Sequence, residues 1–145
     1  MKRCLSLVLV AAVVSSACFK VSTTPSSTSQ MLGGTWVSVE SVPGGSLSES
    51  CTNFKWAVTE FTGTTAKGTF SARCFGNVDV AGSAQGTLNG STVTWSAAAT
   101  GTSAGQPPCS IALSGTATLE TDRIRIPYTG TTCLGSVSGT EIVKR

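Results

Sequence analysis

Apolar and polar residues alternate over most of the chain beyond its N-terminal segment, which is the period of a β-strand with one buried face. The pattern is clearest over residues 111–119 and 124–128, where aliphatic, glycine or aromatic residues occupy every second position. Thr121-Asp122 lies between these segments and supplies residues typical of a tight turn. Pairing Leu119 with Ile124 therefore predicts an antiparallel hairpin.

A second hairpin is predicted from the sequence around Asn89-Gly90. This dipeptide is preferred in type I′ turns, which join antiparallel strands. Pairing Leu88 with Ser91 around it places Ala84 opposite Trp95. A small residue opposite an indole leaves room for the ring, so the register and the packing agree.

A third hairpin is predicted around Thr62-Gly63. Phe54, Trp56 and Val58 alternate with polar residues before this turn. A three-residue loop would place Phe70 opposite Phe54. Aromatic side chains would then pack together on one face of the hairpin.

Two more segments complete the predicted fold, one over residues 32–40 and a closing strand over residues 137–143. About eight short antiparallel strands joined by hairpins indicate an all-β protein. An up-and-down barrel is favoured, with a small β-sandwich as the alternative. Only 12% of the residues are charged, and barrel closure removes two sheet edges that such a surface protects poorly from aggregation.

Two short motifs carry a resemblance to known barrels. The opening Gly34-Thr35-Trp36 and the later Val93-Thr94-Trp95, taken with the eight strands, are similar to avidin-type and lipocalin-type barrels. The resemblance implies the same small barrel architecture. No ligand-contacting residue of those families is carried over to this chain.

Residues 1–17 have the three-part layout of a secretory signal, with basic residues first, an apolar run over residues 5–14 and small residues at the end. The apolar run is too short to span a bilayer as a helix. The segment Val14-Ser15-Ser16-Ala17-Cys18 resembles the lipobox of bacterial lipoproteins, in which the cysteine thiol receives diacylglycerol and becomes the mature N-terminus. The resemblance implies cleavage before Cys18 and a lipid anchor in a membrane.

The cysteine count agrees with lipidation. Cleavage removes Cys4, one of six cysteines, and leaves an odd number in an oxidising compartment. Lipidation of Cys18 leaves an even number for disulfides. Ordinary signal cleavage, giving a soluble secreted protein with a free or intermolecular Cys18, is the alternative.

The remaining four cysteines are predicted to form the disulfides Cys51–Cys74 and Cys109–Cys133. The members of each pair lie almost symmetrically about the turn of one predicted hairpin, so each bond would clamp its open end. Closing such a loop is worth about 3 kcal/mol. In both hairpins the cysteine register differs from the apolar register by one residue, so a β-bulge or an end-of-ladder position is required.

Residues 18–31 form the predicted tether between the lipid and the domain at residues 32–145. Residues 20–30 are rich in Ser and Thr, include one Pro and lack an apolar period, which indicates a flexible segment. Phe19, and not Asp, follows the lipidated cysteine. In lipoproteins of a Gram-negative host, this resemblance implies the outer membrane.

Composition excludes several classes of function. The chain has no histidine, which removes the usual Ser-His and Cys-His nucleophile pairs and imidazole metal sites. Of its 10 Lys and Arg, two lie in the removed segment, so eight remain against seven acidic residues. Because the mature chain is nearly neutral, no nucleic-acid partner is expected. The cysteines contain no closely spaced pair of ligands. No catalytic residue, cofactor or metal is predicted.

Candidate ligand contacts are the aromatic residues Trp36, Trp56, Trp95 and Tyr128, for which the alternative is an ordinary core position. The favoured function is a membrane-anchored envelope lipoprotein that binds a ligand or a protein without catalysis. One alternative is an inhibitor of a foreign protease or lysozyme, in which the loop at residues 101–108 would insert into the active site. A structural or accessory envelope protein is the other alternative.

Overall fold

The computed structural model describes residues 32–45 and 51–145. The predicted signal segment, the lipidation of Cys18 and the tether therefore lie outside the described residues. Most of the described chain is in eight β-strands. These are β1 (Gly34–Pro43), β2 (Cys51–Thr62), β3 (Thr65–Cys74), β4 (Val78–Asn89), β5 (Thr92–Thr102), β6 (Cys109–Leu119), β7 (Ile124–Thr132) and β8 (Gly135–Lys144).

Each strand pairs with the next in antiparallel orientation, and β8 pairs with β1 to close a barrel. The predicted all-β up-and-down barrel is confirmed, and the sandwich alternative is wrong. Alternate side chains of each strand face the interior, as expected for a closed barrel. There they form one buried cluster of aromatic, aliphatic and small residues.

The β6–β7 hairpin has its predicted register, with Leu119 opposite Ile124. In the β4–β5 hairpin the turn lies one residue later than predicted, because Gly90 and Ser91 form it and Asn89 still belongs to β4. Gly90 has a φ angle of 60°. Glycine with positive φ at the first central position is the mark of a type II′ turn, so the prediction of a type I′ turn on Asn89-Gly90 is wrong.

The later turn changes the partner of Trp95. The indole lies opposite Gly86, and the predicted pairing with Ala84 is wrong. The partner moves by two residues, and a shift of two keeps every side chain on its original face. A small residue therefore still lies opposite Trp95, and the packing argument holds at a different position.

The β2–β3 hairpin also departs from its predicted register. Trp56, and not Phe54, lies opposite Phe70, and the loop has two residues where three were predicted. The ladder has two register shifts, one in each half of β2. Each bulge adds an unpaired residue to one strand, which is how Cys51 and Cys74 can lie directly opposite each other at the end of the same hairpin.

The structure contains both predicted disulfides, Cys51–Cys74 and Cys109–Cys133. Cys109 is the first residue of β6, and Cys133 lies in the turn after β7, beyond the end of that ladder. Both bonds lie at the barrel end that carries the β3–β4, β5–β6 and β7–β8 turns. We refer to this end as the mouth end.

At the opposite end, the closed end, the chain enters and leaves the barrel. Leu32 is buried there, and its carbonyl accepts a hydrogen bond from Trp36 Nε1 at 3.0 Å. Arg145 donates to the carbonyl of Gly33 at 2.5 Å and lies 4.7 Å from the centroid of the Trp36 ring. Among the described residues, no helix has the length and apolar composition needed to cross a membrane.

Candidate ligand-binding cavity

A cavity of about 460 Å³ lies in the mouth half of the barrel. Binding sites for small molecules commonly have volumes of about 300–1,000 Å³ and mostly apolar walls. Strands β2 to β8 and the β3–β4, β5–β6 and β7–β8 turns contribute to the wall of this cavity. Its larger side chains include Phe54, Phe70, Val80, Ile111, Leu113 and Tyr128.

The cavity exists because small residues occupy interior positions of β3 and β5. Ala72 and Gly101 line it directly. Gly82 and Ala99 are paired on β4 and β5, and a Cβ atom added at Gly82 would be only 2.5 Å from the Ala99 Cβ. These two residues are closely packed and lie outside the lining of the cavity, whereas the small residues Ala72 and Gly101 leave its interior open.

Polarity in the cavity changes with depth. None of the described residues that line it carries a charge. Its hydrogen-bonding side chains include the amides and hydroxyls of Asn77, Ser103, Gln106 and Thr132. These four residues lie in turns or at a strand end of the mouth. Apart from the Tyr128 hydroxyl, the deep wall is therefore apolar, and polar partners surround the opening.

Two large apolar side chains at the opening remain accessible to solvent. Phe75 is 46% exposed and Leu134 is 63% exposed, and both line the cavity. Each directly follows a disulfide-bonded cysteine, Cys74 or Cys133. We refer to Phe75 and Leu134 as the rim pair. The disulfides attach the turns that carry this pair to the barrel wall.

An aromatic cluster lies beneath the cavity. The rings of Trp56 and Phe70 stack with centroids 4.9 Å apart, and Trp95 meets Trp56 edge-on at 5.1 Å. A second, smaller cavity of about 80 Å³ lies towards the closed end, with both tryptophans in its wall. Neither indole N–H has a hydrogen-bond acceptor among the described residues.

The structure divides the four predicted ligand contacts between the two cavities. Tyr128 lines the larger cavity at the mouth. Trp36, Trp56 and Trp95 line the smaller cavity, and all three are buried. The fold therefore does not bring the four residues together around one space.

Two aromatic residues that the sequence analysis placed only in strands belong to the mouth cavity. Phe54 lies with its ring 6.3 Å from that of Tyr128, and Phe70 forms part of the floor. Tyr128 covers Gly139 on the neighbouring strand, where an added Cβ would be 2.6 Å from the phenol oxygen. Glycine at this position allows the tyrosine ring to lie flat against the wall.

Comparison with known proteins supports the architecture. No protein-family model matches the chain, and no curated protein matches it in sequence. One solved structure does match. It is a redesigned β-barrel, mFAP1, in complex with DFHBI, with a TM-score of 0.57 and 19% sequence identity. The alignment covers 81% of this chain and 98% of mFAP1, and at this identity the likeness establishes the fold alone.

A buried carboxyl group, which the sequence analysis did not select, lies in the wall between β1 and β8. Glu141 is only 1% exposed. A β-bulge in β1 brings Ser38 and Ser41 to the same side of the strand, although residues three apart normally face opposite ways. Their hydroxyls donate to Glu141 Oε2 at 2.5 and 2.6 Å. Burial raises the pKa of Glu141, and the two hydrogen bonds only partly oppose that rise.

Other charged groups pair on the outer surface near the closed end. Arg123 pairs with Glu120, which raises the pKa of Arg123. Lys144 Nζ donates to Asp122 Oδ2 at 2.7 Å and lowers the pKa of that carboxyl. Within residues 32–45 and 51–145, no three His, Cys, Asp or Glu side chains are grouped so as to hold a metal ion.

Proposed function

We propose that this protein is a lipid-anchored binding module of the bacterial envelope, which holds a small apolar ligand in its mouth cavity without catalysis. The observation that carries this proposal is an aromatic-walled cavity of about 460 Å³ at one end of the barrel, with no charged side chain among its described lining residues. Both its volume and its apolar wall are typical of ligand sites. The similar barrel mFAP1 is described in complex with DFHBI, a precedent for ligand binding by this architecture.

The β5–β6 loop contributes to the cavity, which favours ligand binding over inhibition of a hydrolase. Its residues 104–108 are exposed, so they also remain accessible to a protein partner. Here Ser103, Gln106 and Pro107 contribute to the wall of the cavity. The same loop therefore serves to shape the opening.

The lipid anchor is supported by the cysteines. Four cysteines of the described domain pair with one another, which leaves Cys18 as the unpaired cysteine of the mature chain. The lipobox-like segment before Cys18 supports attachment of diacylglycerol to this cysteine, and Phe19 favours the outer membrane of a Gram-negative host. The intact mass of protein purified from bacterial membranes tests this. A chain beginning at Cys18 with added acyl mass is expected, and an unlipidated Cys18 with a reactive thiol would exclude the anchor.

Ligand binding can be tested with the uncharged fluorescent compound N-phenylnaphthylamine. The mature chain carrying Cys18→Ser needs no detergent and is the reference protein. Ala72→Phe should fill the cavity and weaken binding by at least about tenfold, because Ala72 lies in its wall. Ala81→Phe makes the same change at an exposed residue of β4 and should bind as the reference does.

Folding of each variant is checked by the near-ultraviolet circular dichroism of its tryptophans. If Ala72→Phe does not fold, Ile111→Phe tests the same cavity from β6. A folded cavity variant that binds the compound as tightly as the reference protein would exclude the mouth cavity as the site. Absence of binding by the reference protein itself would count against the proposed function.

A further inference from the structure

The rim pair and the uncharged wall together indicate the chemistry of the ligand. We propose that the ligand is an uncharged molecule whose apolar body fills the mouth cavity and whose outer part is held between Phe75 and Leu134. This inference rests on the proposed function and adds to it a ligand class and two binding residues.

The absence of charged partners excludes an ionised group inside the cavity. Removing a charged group from water is costly unless an opposite charge or several hydrogen bonds replace the water. No described residue of the cavity wall supplies a charge. Arg73 and Asp79, which flank the β3–β4 turn, are paired with each other at 3.3 Å on exposed positions. The part of the ligand that lies inside the cavity should therefore carry no charge.

Phe75 occupies a backbone conformation that its side chain does not favour. Its φ angle is 50°, in the left-handed region that glycine and asparagine adopt far more readily than an aromatic residue. The next residue, Gly76, also has positive φ, and its carbonyl accepts a hydrogen bond from Arg73 Nε at 2.8 Å. A bulky aromatic residue held in such a turn, and half exposed beside a cavity, indicates a binding role.

Leu134 is held in a comparable way on the β7–β8 turn. Its backbone N–H donates to Thr132 Oγ1 at 3.0 Å, and the preceding Cys133 is bonded to Cys109. The backbone of the turn is held at the opening, and the Leu134 side chain is 63% exposed. An apolar ligand that extends to the opening would bury both members of the rim pair, which supplies the contact that each lacks.

The amides and hydroxyls around the opening define the outer end of the ligand. Asn77, Ser103 and Gln106 can donate or accept hydrogen bonds beside the rim pair. They would suit a neutral polar group such as a hydroxyl, an ester or an amide. The ligand class is therefore a neutral amphiphile with its apolar part inside the barrel.

Two fluorescent compounds with the same aromatic body test this proposal. N-phenylnaphthylamine is neutral, and anilinonaphthalene sulfonate carries a permanent negative charge. The Cys18→Ser chain should bind the neutral compound at least about tenfold more tightly. Phe75→Asn and Leu134→Asn should each weaken its binding by about fivefold to tenfold. Asparagine suits the left-handed position of residue 75, so that variant is expected to remain folded.

Val42→Asn is the matched control, because Val42 is 50% exposed on β1 but does not line the cavity. It should leave the affinity unchanged. Equal affinity for the two compounds would overturn the proposed ligand class. Rim variants that bind as tightly as the reference, while Ala72→Phe loses binding, would overturn the rim pair and leave the cavity function standing. No binding of either compound to the reference protein would overturn both proposals.

Discussion

Replacing Glu141 by glutamine should change how the stability of the barrel depends on pH. Burial raises the pKa of this carboxyl above its ordinary value of 4.5. The folded state then holds the proton more tightly than the unfolded state does. The contribution of Glu141 to stability is fully present below the unfolded pKa and is lost as the pH rises through the folded pKa. Glu141→Gln stays neutral and removes this loss.

The size of the stability change depends on how far the two hydroxyl hydrogen bonds offset the cost of burying the Glu141 carboxylate. Each unit by which the pKa is raised corresponds to about 1.4 kcal/mol of stability lost above the folded pKa. Hydrogen bonds to a charged acceptor contribute about 1.5–3 kcal/mol each, and the hydroxyls of Ser38 and Ser41 already supply two. Ser38→Ala should therefore raise the pKa of Glu141 further and destabilise the native protein more at neutral than at acidic pH.

Urea unfolding measured from pH 4 to pH 8 provides the assay, with the disulfides intact. The free energy of unfolding of Glu141→Gln, relative to the native protein, should increase as the pH rises. Glu60→Gln, at an exposed glutamate of β2, is the matched control and should give no such trend. If the native and Glu141→Gln curves run parallel over this range, burial does not control the ionisation of Glu141 and the reasoning is refuted.

Two further changes test the packing and the clamps of the barrel. Gly139→Ala should destabilise the protein by about 1–3 kcal/mol in thermal unfolding, because the new Cβ would lie 2.6 Å from the Tyr128 phenol oxygen. Gly45→Ala is its control, because no atom of the described residues lies within 4 Å of the new Cβ. Replacing both Cys51 and Cys74 by alanine should lower the free energy of unfolding in urea by about 3 kcal/mol, since the bond closes a loop with a sequence separation of 23. An unchanged urea midpoint would contradict the stabilising role of this disulfide.

The strand order could be predicted because alternation and turn residues are local properties of the sequence. The pairing of Leu119 with Ile124 was correct since the β6–β7 ladder keeps one register along its length. The pairing of Phe54 with Phe70 was wrong because the turn is a two-residue loop after Thr62, where a three-residue loop centred on Thr62 was predicted. The alternating pattern also does not locate the two bulges of β2. A bulge adds one unpaired residue, and the alternation continues on both sides of it.

The candidate site could be predicted only in part. Tyr128 was selected as an aromatic residue, but an open cavity depends on the summed volumes of residues from strands that are distant in sequence. Ala72 and Gly101 define that space, and neither stands out in the sequence. The sequence did contain a sign that Glu141 is buried. It lies two residues before Val143 in the same strand, so both side chains point to the same face, and that of Val143 faces the interior. The signal for the rim was a large apolar residue after the second cysteine of each predicted disulfide, Cys74 and Cys133.

Both ends of the folded chain lie at the closed end, where Leu32 and Arg145 flank the Trp36 ring. An attachment at either terminus therefore leaves the mouth unobstructed. The proposed anchor at Cys18 would join the barrel at the closed end, so the tether would not have to cross the opening. The same geometry allows the barrel to be immobilised on a sensor surface by its C-terminus, with its opening towards the solution.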